Sequence, residues 1–151
     1  MKVLAPLAEN GKINPNASIR DSQSTIINAP VDVVWKSITE IEKWPEWNDD
    51  IADVKFEELS IGSTFSWTMN GTSISSTIRQ IKENEMISWT GKAMGMKAIH
   101  VWNLEETDGN QTIVTTDESL QGFFTLFFSH QKLHSTLLHW LDRLKQHAEK
   151  V

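Results

Sequence analysis

The sequence contains no cysteine and no tyrosine among its 151 residues. Without a thiol, the chain can form no disulfide, no cysteine-ligated zinc site and no iron–sulfur cluster, and it has no thiol nucleophile. The lack of tyrosine removes the phenol as a general acid. Any catalysis by side chains would therefore depend on histidine and carboxylate groups.

The chain also lacks an excess of positive charge and a long apolar run. Fourteen Lys and Arg stand against twenty Asp and Glu, which gives a formal net charge of −6. Nucleic-acid binding needs a basic surface, so we expect none. No segment approaches the ~20 apolar residues of a membrane-spanning helix, so we expect no integral membrane association. The short apolar start is interrupted by Pro6, which is atypical of a signal peptide and favours a cytoplasmic protein.

The composition is that of one globular domain, with 39% hydrophobic and 23% charged residues. Residues 1–18 are rich in Asn, Gly and Pro, which predicts an irregular N-terminal arm. No internal repeat occurs in the sequence. We therefore predict a single domain over residues 19–151.

The first elements of this domain are a strand and two short helices. A strand is predicted over Ile19–Ile27, and Pro30 suits the first turn of a helix because its missing N–H has no partner there. A second short helical segment is predicted around Trp44–Asn48. Apolar residues at helical spacing follow Pro30: Val31, Val34, Trp35, Ile38 and Ile41.

From residue 51 the apolar pattern changes to a period of two, which indicates strands. Ile51–Phe56 is the first of five or six predicted strands, and Asn70-Gly71 is a strong hairpin signal. Because the connections are short, neighbouring strands must be antiparallel. Together with the first strand, this predicts a curved antiparallel sheet of about seven strands.

The last part of the chain is predicted to be one long helix. No Gly or Pro interrupts residues 123–151, and Leu133, Leu137 and Leu144 recur at helical spacing. A helix over about residues 123–149 would span roughly 40 Å. It can cover one face of the sheet while solvent contacts the other, so we predict an α+β fold with space for a pocket between helix and sheet.

Several side chains are predicted to face this space. Trp67 and Trp89 lie at the alternating apolar positions of their strands, which face the interior. Residues at such positions can form either a packed core or the wall of a cavity. By the same parity, His100 and Glu118 face inward as a buried polar pair and are the catalytic candidates. The predicted cavity residues are Phe65, Trp67, Met69, Ser76, Trp89, Met96, His100, Trp102, Thr116, Glu118, Phe124, Phe127, Leu137 and Trp140.

Two segments of the sequence resemble the START-like (SRPBCC) superfamily, and most nearly its polyketide cyclase/dehydrase and lipid transport family. They are residues 27–35 with Trp44–Asn48, and Trp89-Thr90-Gly91 with Thr115–Ser119. The resemblance covers about residues 19–148. It implies a helix-grip fold, in which the curved sheet wraps around the long C-terminal helix, and an elongated hydrophobic cavity. It carries over no catalytic motif.

The preferred function is binding or transport of a hydrophobic small molecule or lipid in that cavity. One alternative is a cofactor-free cyclase or dehydratase acting on a polyketide-like or aromatic substrate, as His100 and Glu118 would allow. A second is a protein-interaction module of the co-chaperone or stress-related kind. We expect no cofactor and no metal: His130 and His134 have a metal-binding spacing, but no matching carboxylate accompanies them.

Overall fold

A computed structural model describes residues 4–122, 125 and 128–151. Three α-helices and one 3-10 helix accompany the sheet in this part of the chain. They are α1 (Leu4–Glu9), α2 (Val31–Thr39), the 3-10 helix Ile41–Glu46 and α3 (His130–Ala148). The strands are β1 (Ile19–Ile27), β2 (Ile51–Lys55), β3 (Thr64–Met69), β4 (Thr72–Lys82), β5 (Met86–Ala93), β6 (Met96–Thr107) and β7 (Gln111–Gln121).

The seven strands of the described residues form one antiparallel sheet in the order β1-β7-β6-β5-β4-β3-β2. The order follows the chain from β2 to β7 because each connection joins neighbours, and β1 completes the edge beside β7. α3 packs across the inner face of the sheet, and α2 with the 3-10 helix closes one end. The predicted α+β helix-grip fold is confirmed.

The C-terminal helix is shorter than predicted. It begins at His130 rather than near residue 123, and its 19 residues span about 28 Å. Ser129 is the N-cap, and its hydroxyl accepts a hydrogen bond from the Lys132 amide at 3.0 Å. This cap satisfies one of the free N–H groups at the helix start. The position of this cap, and not the absence of Gly and Pro, therefore locates the start of α3.

The N-terminal arm is not irregular throughout, because residues 4–9 form α1. Leu4 and Ala8 of this helix pack on the outer face of the sheet against Met86, Ile99 and Val101. The Ser88 hydroxyl donates a hydrogen bond to the Ala8 carbonyl. The expectation that solvent contacts the outer face is wrong here, because β5 and β6 carry apolar residues on both sides and α1 covers them.

Candidate functional site

Aromatic side chains fill one half of the space between α3 and the sheet. Trp44 from the 3-10 helix lies at the centre of this cluster, with its ring centroid 5.1 Å from that of Trp140 and 5.3 Å from that of Trp67. Its indole N–H donates to the Ile38 carbonyl at 3.0 Å. Phe65 and Trp89 complete the cluster at 5.8 and 5.5 Å from Trp44. This half of the space is therefore solid core.

The other half stays open because small residues occupy one row of the sheet. Ser76 of β4 pairs with Gly91 of β5, and Gly91 pairs with Ala98 of β6. These three adjacent positions carry almost no side-chain volume on the inner face. In the next row towards the aromatic cluster, Ile78, Trp89 and His100 occupy the corresponding positions. The step from large to small residues leaves a cavity.

The cavity has a volume of about 270 Å³ and is lined by residues of β3 to β7 and of α3. Its mouth includes the β5–β6 turn, where Met94 and Gly95 adopt positive φ angles of 49° and 74°. The described residues that line it are Trp67, Met69, Asn70, Thr72, Ile74, Ser76, Trp89, Gly91, Lys92, Ala93, Met94, Met96, Ala98, His100, Glu118, Leu120, Phe128, Lys132, Leu133, Thr136 and Trp140. Most of this wall is aromatic or aliphatic, with a few polar groups, as in small-molecule sites.

Eight of the predicted cavity residues lie on this wall. They are Trp67, Met69, Ser76, Trp89, Met96, His100, Glu118 and Trp140. The Trp67 indole N–H donates to the Ser76 hydroxyl at 3.1 Å, which fixes the ring against the small-residue row.

Four predicted cavity residues belong to the packed core instead. Phe65 and Leu137 are buried under the aromatic cluster and α3, and Trp102 stacks on His100 with its ring centroid 5.2 Å away. Thr116 lies behind His100 and contacts it rather than the open space. Strand alternation assigns Phe65, Trp102 and Thr116 to the inner face, and helical spacing turns Leu137 towards it, but neither pattern says which part of that space is filled. The other two, Phe124 and Phe127, lie outside the described residues.

Sequence reasoning missed the residues that create the cavity. Gly91 and Ala98 are small residues inside strands, and Gly in a strand interior commonly marks a close approach or an open site. A Cβ added to Gly91 would lie 3.3 Å from the Ser76 hydroxyl oxygen. Lys132 of α3 was also missed, because it lies beside the Leu133-Leu137-Leu144 stripe and not in it.

His100 and Glu118 form a buried polar contact at the inner end of the cavity. They are register partners on β6 and β7, and His100 Nδ1 lies 3.9 Å from Glu118 Oε1. His100 Nε2 lies 2.7 Å from the Thr116 hydroxyl, which orients the imidazole. The side chain of His100 is 2% exposed and that of Glu118 is 16% exposed. The pair therefore offers a ligand one partly accessible carboxyl group backed by a fixed imidazole.

Burial sets the protonation of this pair. It raises the pKa of the Glu118 carboxyl to about 8 and lowers the pKa of the His100 imidazole to about 3. Both shifts have the same cause, since a low-dielectric surrounding disfavours the charged form of each group. At neutral pH Glu118 holds its proton and His100 is uncharged, so the contact is a neutral pair and not an ion pair. The inner end of the cavity is thus polar without net charge.

Possible metal ligands lie away from the cavity. Asp49, Asp50 and His139 bring ligating atoms within 4.8 Å of one another. His139 Nε2 already contacts Asp49 Oδ1 at 3.0 Å and Asp50 Oδ2 at 3.4 Å, and Arg143 Nε lies 3.8 Å from Asp49. The guanidinium disfavours a bound metal cation, and these contacts attach α3 to the segment before β2. His134 contacts Asp21 at 3.1 Å instead of sharing a ligand with His130.

Within the part of the chain that the structure describes, no helix has the length and apolar character needed to span a membrane.

An antiparallel sheet that holds a C-terminal helix over a cavity defines this protein as a domain of the START-like (SRPBCC) class. The chain belongs to the polyketide cyclase/dehydrase and lipid transport family, whose model matches residues 18–149. Sequence comparison with curated proteins finds no match.

Solved structures show the same fold at low sequence identity. A hypothetical protein from Helicobacter pylori superposes with a TM-score of 0.77 at 16% identity, covering 89% of this chain and 90% of its own. A START superfamily protein from Mycobacterium smegmatis has a TM-score of 0.75 at 12% identity, and the match covers 87% of this chain and 97% of that protein. The Zhui aromatase/cyclase from a Streptomyces species has a TM-score of 0.70 at 13% identity, and the match covers 87% of this chain and 93% of that protein.

Proposed function

We propose that this protein binds a compact hydrophobic small molecule in the cavity between the sheet and α3. The observation that carries the proposal is the open half of the inner face, where the Ser76-Gly91-Ala98 row leaves about 270 Å³ beside an otherwise solid aromatic core. Close packing is the rule inside proteins, and a volume of this size without a ligand would forfeit many contacts.

The size and lining of the cavity favour a particular range of ligands. Ligand sites commonly have volumes of ~300–1,000 Å³, so this cavity lies at the small end. A fused aromatic ring system or a short acyl chain fits this volume, whereas a lipid with two acyl chains does not. Met69, Met94 and Met96 give the wall and mouth adaptable side chains.

We expect decanol and 1-naphthol to bind with dissociation constants in the micromolar range, because burial of apolar surface supplies the free energy. Native mass spectrometry should show one ligand per chain, and a diacyl phosphatidylcholine should not be retained. Decanol should also shift the tryptophan emission, because Trp67, Trp89 and Trp140 line the cavity and no tyrosine contributes. If neither compound binds below about 1 mM, the proposal is wrong.

The neutral His100–Glu118 pair supports a second candidate function, general acid–base catalysis on an aromatic or polyketide-like substrate. A carboxyl group that stays protonated at neutral pH can donate a proton to a carbonyl or a leaving hydroxyl group. His100, held by Thr116, can then receive or relay a proton through Nδ1.

This second candidate predicts that Glu118→Gln removes turnover of an aromatic polyketide-like substrate by about 10²-fold or more, while retaining binding. Turnover and affinity would be measured on the same preparations, with His100→Ala as a second variant. Unchanged turnover in both variants would exclude a catalytic role for the pair and leave the binding function untouched.

A further inference from the structure

The Ser76 hydroxyl is a hydrogen-bond donor that the described part of the chain leaves without an acceptor. Ser76 is 1% exposed and lies on the cavity wall. Its oxygen accepts the Trp67 indole N–H at 3.1 Å, and no atom of the described residues accepts its own proton. Buried polar groups are nearly always paired, and an unpaired one is costly. A ligand atom in the cavity can supply the missing acceptor.

The Glu118 carboxyl group is a second polar group of the cavity wall that has no hydrogen-bond partner among the described residues. Its contact with His100 Nδ1, at 3.9 Å, is beyond hydrogen-bonding distance. Asp21 is its register neighbour on β1, but the Asp21 carboxylate contacts His134 at 3.1 Å and Gln23 at 3.0 Å. The Glu118 carboxyl can therefore form hydrogen bonds with a ligand.

The cavity wall between these two groups is apolar. In the strand register, Gly91 on β5 and Ala98 on β6 follow Ser76 across the sheet. Leu133 and Trp140 of α3 line the same cavity from the opposite side. Polar ligand atoms in the middle of the cavity would lose their hydration without compensation. The middle of the cavity is therefore suited to an apolar ligand body.

The two polar groups come from strands that are not neighbours. Ser76 lies on β4 and Glu118 on β7, with β5 and β6 between them. Adjacent strands lie ~4.8 Å apart, so about 14 Å of sheet separates the two positions. Two oxygens on adjacent carbon atoms of a ligand cannot reach both groups, whereas oxygens at opposite ends of a ring system can.

We infer that the natural ligand is a compact apolar molecule with a hydroxyl or carbonyl oxygen at each of two opposite ends, one bound by Ser76 and the other by Glu118. The inference rests on the proposed function and adds the chemical class and the orientation of the ligand. It makes Ser76 a specificity-determining residue, because a few placed polar groups select among ligands of similar shape in an apolar pocket. A plain hydrocarbon would leave both groups unpaired.

Three probes test this inference: 2,6-dihydroxynaphthalene, 2,3-dihydroxynaphthalene and naphthalene itself. The two isomers have the same composition and differ in whether their oxygens lie at opposite ends or side by side. In equilibrium dialysis, the wild-type protein should bind the 2,6-isomer about fivefold more tightly than the 2,3-isomer, because one more hydrogen bond forms.

The variants Ser76→Ala and Glu118→Met each remove one of the two contacts. In each, the affinity for the 2,6-isomer should fall about fivefold and its preference over the 2,3-isomer should disappear. Naphthalene should bind no more than twofold less tightly, which also controls for the lost Trp67–Ser76 hydrogen bond. Ser75→Ala makes the same change at the next residue, which is exposed, and should leave all three affinities within twofold.

The outcomes separate the inference from the proposed function. If the two isomers bind the wild-type protein equally tightly, or if the preference survives in either variant, the inferred ligand class is wrong while the proposed function stands. If a variant also loses naphthalene binding, its cavity has changed, and the comparison of the isomers in the wild-type protein decides alone. If none of the three compounds binds the wild-type protein, the proposed function fails and the inference fails with it.

Discussion

Replacing Ala98 by phenylalanine should abolish ligand binding while the protein stays folded. Ala98 lies on β6 between Gly91 and Leu120 in the register, and its methyl group forms part of the cavity wall. A benzyl group at this position projects into the empty volume and takes the place of the ligand. We expect the dissociation constant for decanol or 1-naphthol to rise at least 30-fold, measured by calorimetry.

The stability of this variant should change little, because the added ring occupies open space instead of displacing neighbours. We expect the free energy of unfolding to differ from wild type by less than about 2 kcal/mol in urea titrations. Ala52→Phe makes the same substitution at an exposed position of β2 and serves as the control, with unchanged binding. Full affinity in Ala98→Phe would show that the ligand binds elsewhere.

The substitution Glu118→Gln should remove a pH dependence of stability on the alkaline side. Burial raises the pKa of Glu118 to about 8 in the folded protein, from an ordinary value of 4.5. The folded state therefore keeps a proton that the unfolded chain releases, and this contribution to stability is full below pH 4.5 and is lost as the pH rises through about 8. The uncharged amide of the variant has no such proton to lose.

His100 acts in a lower window, because burial lowers its pKa to about 3 from 6.5. Its contribution is full above pH 6.5 and is lost as the pH falls towards 3. Between pH 6.5 and 8, only Glu118 of this pair makes stability depend on pH. The free energy of unfolding falls there by about 1.4 kcal/mol per pH unit as the pH rises.

Urea titrations between pH 6.5 and 8 should show the free energy of unfolding of the wild-type protein falling by ~2 kcal/mol relative to that of Glu118→Gln. Glu105→Gln, at an exposed position of β6, is the matched control and should follow the wild-type slope. Parallel curves for wild type and Glu118→Gln would mean that the Glu118 carboxyl is ionised in the folded protein at neutral pH.

Much of the fold could be predicted from the sequence because strand alternation and hairpin signals are local. The alternation around Trp67, Trp89 and His100 assigns each to the inner face, and the structure places all three there. The helix-grip class follows from the order of elements and from the family resemblance. These features need no knowledge of how distant segments align.

The cavity itself depends on alignment between strands, which parity does not supply. Ser76, Gly91 and Ala98 form one row only because two hairpins set that register, and β4 and β5 also contain an irregularity between Ile78 and Gln80. Trp102 shares the parity of His100 but lies one row further into the filled half. The alternation of side chains along each strand therefore identifies the inner face of the sheet. It does not show which part of that face is packed core and which part lines the cavity.

The start of α3 and the N-terminal helix were the least predictable elements. The start of α3 depends on the Ser129 cap, which the absence of Gly and Pro does not reveal. α1 is only six residues long, and its stability comes from packing on Met86, Ile99 and Val101. The apolar residues on both sides of β5 and β6 were the available signal that the outer face is covered.

The central claim is that a hydrophobic ligand enters the space between the sheet and α3, and methionine methyl NMR tests it most directly. Met69, Met94 and Met96 line the cavity, whereas Met86 packs against α1 on the outer face and serves as an internal reference. Titration with decanol into protein labelled at the methionine methyl groups should shift the three cavity signals together and leave the Met86 signal in place. Shifts confined to Met86, or saturable binding without any change in the three cavity signals, would contradict the claim.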